Sequence, residues 1–143
     1  MPIRLAPESI TVLQEEAMSE RKQVLIIDDS ATLRKIVHQA LGIFDFDIYE
    51  AEGATEAYGH LEAHPMDLIL LDWHMPEMDG YDLFLELQDN PDYKDIPVIM
   101  LTAEDRKESM LKAIRSGIRH YLTKPFTHED LLARVVQVLK LQL

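Results

Sequence analysis

The 143-residue sequence contains no cysteine and no long apolar run. The absence of cysteine excludes disulfide bonds and thiolate metal sites, and it suits a reducing compartment. No run approaches the roughly 18 apolar residues that a membrane span requires, and the N-terminus lacks the basic-then-apolar pattern of a secretory signal peptide. We therefore expect a cytoplasmic protein that has no membrane partner.

Basic residues are scarce as well. Lys and Arg number 14 against 26 Asp and Glu, and the net charge of −12 argues against direct nucleic-acid binding, because phosphate backbones need positive neutralisation. The charge is uneven, since residues 106–143 hold eight basic and three acidic residues (+5), whereas residues 1–105 hold six and 23 (−17). The C-terminal segment either presents a distinct partner surface or has ordinary solvated helix faces.

The sequence does contain five short apolar runs that alternate with segments of helical periodicity. The runs are Val24–Asp28, Asp47–Ala51, Asp67–Asp72, Ile96–Leu101 and His120–Thr123. Three of them are nearly continuous aliphatics, which is typical of strands buried on both faces of a parallel sheet.

Start and stop signals bound the helical segments between these runs. The first four apolar stripes are followed by Gly42, Pro65, Asn90–Pro91 and Gly117. The fifth begins at Thr127, a predicted N-cap with Asp130 three residues later. Five strand–helix units in a row predict an α/β fold: a doubly wound, five-stranded parallel sheet with helices on both faces.

Polar residues follow the predicted strands at the edge where such sheets bind ligands. They are Asp28 and Asp29 after the first strand, Asp72 after the third, Thr102 after the fourth and Lys124–Pro125 after the fifth. If the first and third strands are neighbours, three carboxylates converge, and a hard cation such as Mg²⁺ relieves their repulsion. Thr102 and Lys124 would complete a cradle for a phosphoryl group, with ionised Asp72 as a nucleophile that needs no base. Each residue alone would be interpreted as a loop charge or a helix cap; the combination favours a site.

These residues lie in four sequence blocks that resemble the CheY-like receiver domains of response regulators in two-component signalling. The blocks are VLIIDDSATLRKIV (Val24–Val37), LILLDWHMPEMDG (Leu68–Gly80), IPVIMLTAE (Ile96–Glu104) and GIRHYLTKPF (Gly117–Phe126). The resemblance implies a flavodoxin-like sheet with strand order 2-1-3-4-5. It also divides the chain into a short N-terminal extension, residues 1–22, and a receiver domain, residues 23–143.

The resemblance implies how the acidic residues would work. Asp72 would be the phosphoacceptor. Asp29 would bind Mg²⁺ directly, together with Asp72 and the backbone carbonyl of His74, and Asp28 would act through water. The domain would be a signalling phosphoacceptor that only catalyses its own phosphorylation and dephosphorylation, and not an enzyme with another substrate.

The remaining strand-end residues would bind the phosphate and switch the domain. Lys124 would pair with Asp72 or its phosphate, and the Lys124–Pro125 bond would be cis. Thr102 and Tyr121 would move inward on phosphorylation and alter the surface made by the fourth helix, fifth strand and fifth helix. We expect an unidentified protein target at that surface.

The phosphodonor would be a sensor histidine kinase or a histidine phosphotransfer protein. It would dock beside the first helix, which carries Arg34 and Lys35. The chain is either a stand-alone receiver or the receiver part of a longer regulator.

Two site residues and one segment have two interpretations each. His74 and Glu104 either tune dephosphorylation or merely line their loops. Residues 1–22 form either a short helix capped by Ser9 or a frayed tail.

Two rival functions are a phosphatase or phosphotransferase with an aspartate nucleophile, and a flavin-binding flavodoxin-like module. The first class usually has a second Asp two residues after the nucleophile, where this chain has His74. The second needs a Ser/Thr/Gly-rich phosphate loop after the first strand, where this chain has Asp28 and Asp29.

Overall fold

The computed structural model describes residues 21–103 and 107–141. The strands are β1 (Gln23–Ile27), β2 (Asp47–Ala51), β3 (Leu68–Asp72), β4 (Val98–Thr102) and β5 (His120–Thr123). The helices are α1 (Ala31–Ala40), α2 (Ala54–Ala63), α3 (Gly80–Gln88), α4 (Lys107–Arg115) and α5 (His128–Leu139). The predictions made for Glu104 and for nearly all of the N-terminal extension fall outside the described residues.

The five strands form one parallel sheet in the order β2-β1-β3-β4-β5. β1 lies in register with both β2 and β3, so that Ile27 is opposite Ala51 on one side and Leu71 on the other. The predicted fold class and strand order are therefore confirmed. The first and third strands are neighbours, which is the condition for the predicted meeting of carboxylates.

Alternate residues of the central strands pack on opposite faces of the sheet. On one face, Leu25, Ile69 and Leu71 pack with residues of α2, α3 and α4. On the other face, Ile26 and Leu70 pack with residues of α1 and α5. Because both faces are covered, the central strands β3 and β4 have no polar residue before their carboxyl ends.

The ends of the elements follow the local signals in the sequence, with shifts of one or two residues. β2 and β5 begin and end as predicted, whereas β1 begins at Gln23 and β4 at Val98. α1 ends at Ala40 and passes into a 3-10 turn, Leu41–Ile43, which contains the predicted stop residue Gly42. Gly117 follows α4 with a φ of 98°, the left-handed region that favours glycine.

The described part of the chain has no helix that is long and apolar enough to cross a lipid bilayer.

Candidate functional site

Three carboxylates meet beyond the carboxyl ends of β1 and β3. Asp28 and Asp29 follow β1, Asp72 is the last residue of β3, and one oxygen from each lies within 4.8 Å of the others. Asp28 is 0% exposed and Asp72 is 6% exposed, whereas Asp29 faces solvent. The pairing of β1 with β3 produces this cluster, because it places the two strand ends side by side.

Lys124 provides the positive charge next to this cluster. Its Nζ donates hydrogen bonds to Asp28 Oδ2 at 3.0 Å and to Asp72 Oδ1 at 3.1 Å. Its backbone N–H donates to the carbonyl of Thr102 at 2.7 Å, which fixes the β5 end against the end of β4. The Lys124–Pro125 peptide bond is cis.

The proximity of these groups changes their affinity for protons. Burial raises the pKa of Asp72, the negative charge of Asp28 raises it further, and Lys124 opposes both effects. Burial lowers the pKa of Lys124, but hydrogen bonding and charge from Asp28, followed by Asp72, outweigh burial and raise it. The charged ammonium form of Lys124 is thus favoured, whereas Asp72 ionises less readily than an exposed carboxyl.

The loop after Asp72 lies against the start of α3. Trp73 donates its N–H to the carbonyl of Leu101 at 2.9 Å, and Gly80 donates its N–H to the carbonyl of Trp73 at 2.7 Å. A Cβ atom on Gly80 would lie 1.8 Å from the carbonyl oxygen of Asp72, so no other residue fits there without moving the backbone. His74 donates its N–H to Asp72 Oδ1 over a long 3.4 Å, and its side chain is exposed.

The two predicted switch residues lie on adjacent strands. Thr102 ends β4 and is 3% exposed. Tyr121 is opposite Met100 in the β4–β5 register, and its half-buried ring packs against the core on the α4 side of the sheet. The structure therefore brings Asp28, Asp29, Asp72 and Lys124 together and positions Thr102 at the same edge.

The donor set fits a magnesium ion. Mg²⁺ prefers hard oxygen ligands and takes one or two carboxylates together with water and phosphate oxygens. Asp28, Asp29 and Asp72 offer such oxygens, and two of these carboxylates are buried against a single ammonium group. The site fits Mg²⁺ because its ligands are carboxylate oxygens and because Asp28 and Asp72 share the single positive charge of Lys124, which leaves a net negative charge.

A family model described as "Response regulator receiver domain" matches residues 24–136. The chain belongs to this family. Receiver domains are signalling domains of two-component systems that take a phosphoryl group from histidine kinases, use Mg²⁺ and signal to target proteins.

Curated relatives of this receiver include chemotaxis proteins and a transcriptional regulator. Chemotaxis protein CheY1 of Helicobacter pylori is 37% identical over 119 residues, which are 82% of this chain and 96% of that protein. The phosphate regulon transcriptional regulatory protein PhoB of Pseudomonas aeruginosa is 36% identical over 119 residues, which cover 83% of this chain and 52% of that regulator.

Solved structures show the same fold. The chemotaxis protein CheY4 of Vibrio cholerae superposes with a TM-score of 0.76 at 30% identity, covering 82% of this chain and 98% of that one. A putative response regulator of Chloroflexus aurantiacus superposes with a TM-score of 0.78 at 27% identity, covering 85% and 100% of the two chains.

Arg34 has a position in this receiver that the sequence did not reveal. It lies on α1, the helix that we expect to border the docking site of the phosphodonor, and its side chain is 15% exposed and contacts Glu50. Its neighbour Lys35 remains exposed. Helical periodicity locates Arg34 on α1, but only the register of β2 shows which acidic residue it meets.

Trp73 also has contacts that the sequence did not indicate. Its ring stacks on that of Tyr81 with 5.4 Å between ring centroids. The Tyr81 hydroxyl shares a hydrogen bond with the Ser116 hydroxyl, and Lys112 Nζ lies 4.7 Å from the Tyr81 ring centroid. This chain of contacts joins the residue after Asp72 to α4 and the turn that follows it.

Proposed function

We propose that this receiver accepts a phosphoryl group on Asp72 from a sensor histidine kinase or a histidine phosphotransfer protein. Asp28, Asp29, Asp72 and the backbone carbonyl of His74 would hold Mg²⁺. The observation that carries the proposal is the approach of three carboxylates to within 4.8 Å of one another at the end of β3. The ammonium group of Lys124 at the same point adds to it.

The proposed reaction is a transfer between two covalent carriers. A carboxylate oxygen of Asp72 forms a bond to the phosphorus of a phosphohistidine while the bond from phosphorus to the donor's imidazole nitrogen breaks. The electron pair of that bond returns to the nitrogen. An ionised Asp72 has no proton to remove, so the site needs no base. Lys124 neutralises charge on the phosphoryl oxygens, and bound Mg²⁺ would supply further neutralisation.

The output surface would be formed by α4, β5 and α5. Phosphorylation would favour the conformation in which Thr102 and Tyr121 are drawn inward, and this change would alter the surface. Support comes from the α4 side chains that face solvent, because Ile114 is 56% exposed and Leu111 is 39% exposed. Such apolar side chains are suited to a protein target.

The charge of this surface argues against self-pairing. Burial lowers the pKa of His120, and the positive charges of Arg134 and then Arg119 lower it further. Arg119, which precedes β5, and Arg134 on α5 would face their own copies if two chains paired symmetrically through this surface, and like charges repel. A different protein is therefore the proposed target, and the net charge of −12 argues against direct binding to nucleic acid.

Several predictions remain proposals of the same kind. They are the division of the chain at residues 22 and 23, a cytoplasmic location, and the tuning of dephosphorylation by His74 or Glu104.

The test is phosphorylation by a small phosphodonor such as acetyl phosphate in the presence of Mg²⁺. The wild-type chain should form a phosphoprotein that hydroxylamine cleaves, and Asp72→Asn should abolish it. The exposed variant Asp95→Asn, which changes the same charge elsewhere, should label like wild type. Unchanged labelling of Asp72→Asn would contradict the proposal. Steady hydrolysis of a phosphate ester without a lasting phosphoprotein would favour the phosphatase alternative.

A further inference from the structure

Arg34 connects α1 to the backbone of the acidic cluster. Its Nη1 donates a hydrogen bond of 2.6 Å to the carbonyl oxygen of Asp28, and its Nε donates one of 3.1 Å to Glu50 Oε1. The guanidinium group therefore bridges the end of β1 and the neighbouring strand β2. Both contacts use donors of one planar group whose geometry is fixed.

Glu50 is held from its other side as well. Its Oε2 lies 2.9 Å from His38 Nδ1, one helical turn beyond Arg34 on α1. The residue after Glu50, Ala51, accepts the backbone N–H of Asp28 at 3.0 Å. Strand β2 thus fixes the position of the Asp28 backbone in two ways. Ala51 accepts its N–H directly, and Glu50 orients the Arg34 guanidinium group that binds its carbonyl.

Every polar group of Asp28 consequently has a partner. Ser30 donates its N–H to Asp28 Oδ1 at 2.9 Å, and Lys124 donates to Oδ2 at 3.0 Å. The carbonyl of Asp28, which begins the peptide unit leading to Asp29, accepts the hydrogen bond from Arg34 Nη1. The orientation of this peptide unit decides where the exposed carboxylate of Asp29 points.

We propose that Arg34 is a positioning residue for the Mg²⁺ site, oriented by Glu50 and acting through the Asp28 carbonyl on Asp28 and Asp29. The inference rests on the proposed function, because it concerns the same metal site. Arg34 itself touches neither the metal nor the phosphoryl group. Its effect is to hold two of the three carboxylates where they converge on Asp72.

Whether replacing Arg34 strengthens or weakens Mg²⁺ binding distinguishes a positioning role from a purely electrostatic one. Removing a cation close to three carboxylates would strengthen Mg²⁺ binding if only Coulomb forces acted. Loss of the hydrogen bond to Asp28 would instead let the carboxylates diverge and would weaken it. Residues that orient metal ligands typically change metal affinity by about 10-fold or more when they are replaced.

The experiment measures Mg²⁺ affinity of the full chain by calorimetry and by fluorescence of Trp73, the single tryptophan. Arg34→Met should weaken Mg²⁺ binding about 10-fold. Arg34→Lys keeps the charge but cannot bridge both partners with a planar fork, so it should also weaken binding, though less than Arg34→Met does. The yield of hydroxylamine-labile phosphoprotein at limiting Mg²⁺ should fall in the same order.

The chain supplies a matched control at the opposite end of the same two strands. Arg21 Nη2 contacts the carbonyl of Phe46 at 3.4 Å and Asp47 at 3.1 Å, so it also links the β1 side of the sheet to β2. Arg21→Met removes the same charge and the same kind of bridge far from the acidic cluster. It should retain wild-type Mg²⁺ affinity even if it lowers the melting temperature.

Wild-type or tighter Mg²⁺ affinity in folded Arg34→Met would overturn the inference, as would an equal loss in Arg21→Met. If Arg34→Met does not fold, Arg34→Lys decides, and wild-type affinity in that variant is the negative result. A wild-type chain that binds no Mg²⁺ and forms no phosphoprotein would instead refute the proposed function.

Discussion

Asp28 and Asp72 are two nearly buried carboxylates that share one ammonium group. Their side chains are 1% and 8% exposed, so water does little to stabilise their charges. The net negative charge that remains is the physical basis for a cation site at this position. It also makes the stability of the metal-free chain depend on Asp72.

Asp72→Asn should raise the free energy of unfolding of the metal-free protein at neutral pH. The pKa of Asp72 is raised in the folded chain, so its ionised form destabilises the fold wherever the pH exceeds that pKa. The gain should shrink as the pH falls towards 3.8, the ordinary pKa, and vanish below it, where the carboxyl is protonated in both the folded and the unfolded state. Urea unfolding at several pH values measures the difference.

Asp95→Asn is the control for this measurement, since it removes one exposed negative charge. It should change the unfolding free energy little at any pH. A lower stability of Asp72→Asn at neutral pH would show that the contact with Lys124 outweighs burial.

The site residues differ in how far the sequence could predict them. Asp28, Asp29, Asp72 and Lys124 follow strands, and strand ends are visible as the ends of apolar runs. The role of Arg34 could not be predicted, because its partners are a backbone carbonyl and a residue of β2 that only the folded register brings near. The close approach of Gly80 to Asp72 depends likewise on where the loop returns.

Among the helix starts that the structure describes, that of α5 has the most complete capping signal. Thr127 accepts the N–H of Asp130 at 3.0 Å, and Asp130 accepts the N–H of Thr127 at 3.3 Å, which together form a capping box. The helix then buries Leu131 and Val135 against the sheet. The cap follows Lys124 by three residues, so the start of α5 and the end of β5 are fixed together.

Thr127→Ala should lower the free energy of unfolding by about 1 kcal/mol, because the N–H of Asp130 loses its acceptor at the helix start. Thr127→Ser keeps a hydroxyl acceptor and should recover most of the loss. Chemical denaturation of the three chains measures both effects. Equal losses in the Ala and Ser variants would mean that the Thr methyl group, and not the cap, is responsible.

Elements with local signals were predicted well. β2, β5 and the cap of α5 lie where the sequence pattern indicated. The end of α1 was less well predicted: the helix tightens into a 3-10 turn over Leu41–Ile43 instead of stopping cleanly at Gly42. Leu41 is fully buried, so packing against the sheet rather than local preference determines that turn.

The whole molecule has two apolar layers that share one sheet. Leu71 points to the layer with α2, α3 and α4, and its neighbour Leu70 points to the layer with α1 and α5. Both side chains are fully buried. Each layer consists of helices packed on one face of the sheet, so both layers lose their packing partner if the strands separate. We therefore expect a single cooperative unfolding transition.

Leu70→Ala should therefore destabilise the layer with α2, α3 and α4 as well, although Leu70 packs in the layer with α1 and α5. We expect a loss of about 3 kcal/mol, from lost burial and the remaining cavity. The unfolding midpoint should shift equally by Trp73 fluorescence, which reports on the opposite layer, and by far-UV circular dichroism. Leu71→Ala is the matched variant on the Trp73 side, and it should give the same agreement between probes. Separate midpoints in Leu70→Ala would mean that the layers unfold independently.

Lys124 gives the acidic edge a counter-ion that is part of the polypeptide. A dissolved cation leaves when it is diluted or chelated, but an ammonium group attached at the end of β5 stays beside Asp28 and Asp72 at any ionic composition. Stripping divalent cations should thus leave a folded chain that can be reloaded, because Lys124 remains as the shared partner of Asp28 and Asp72.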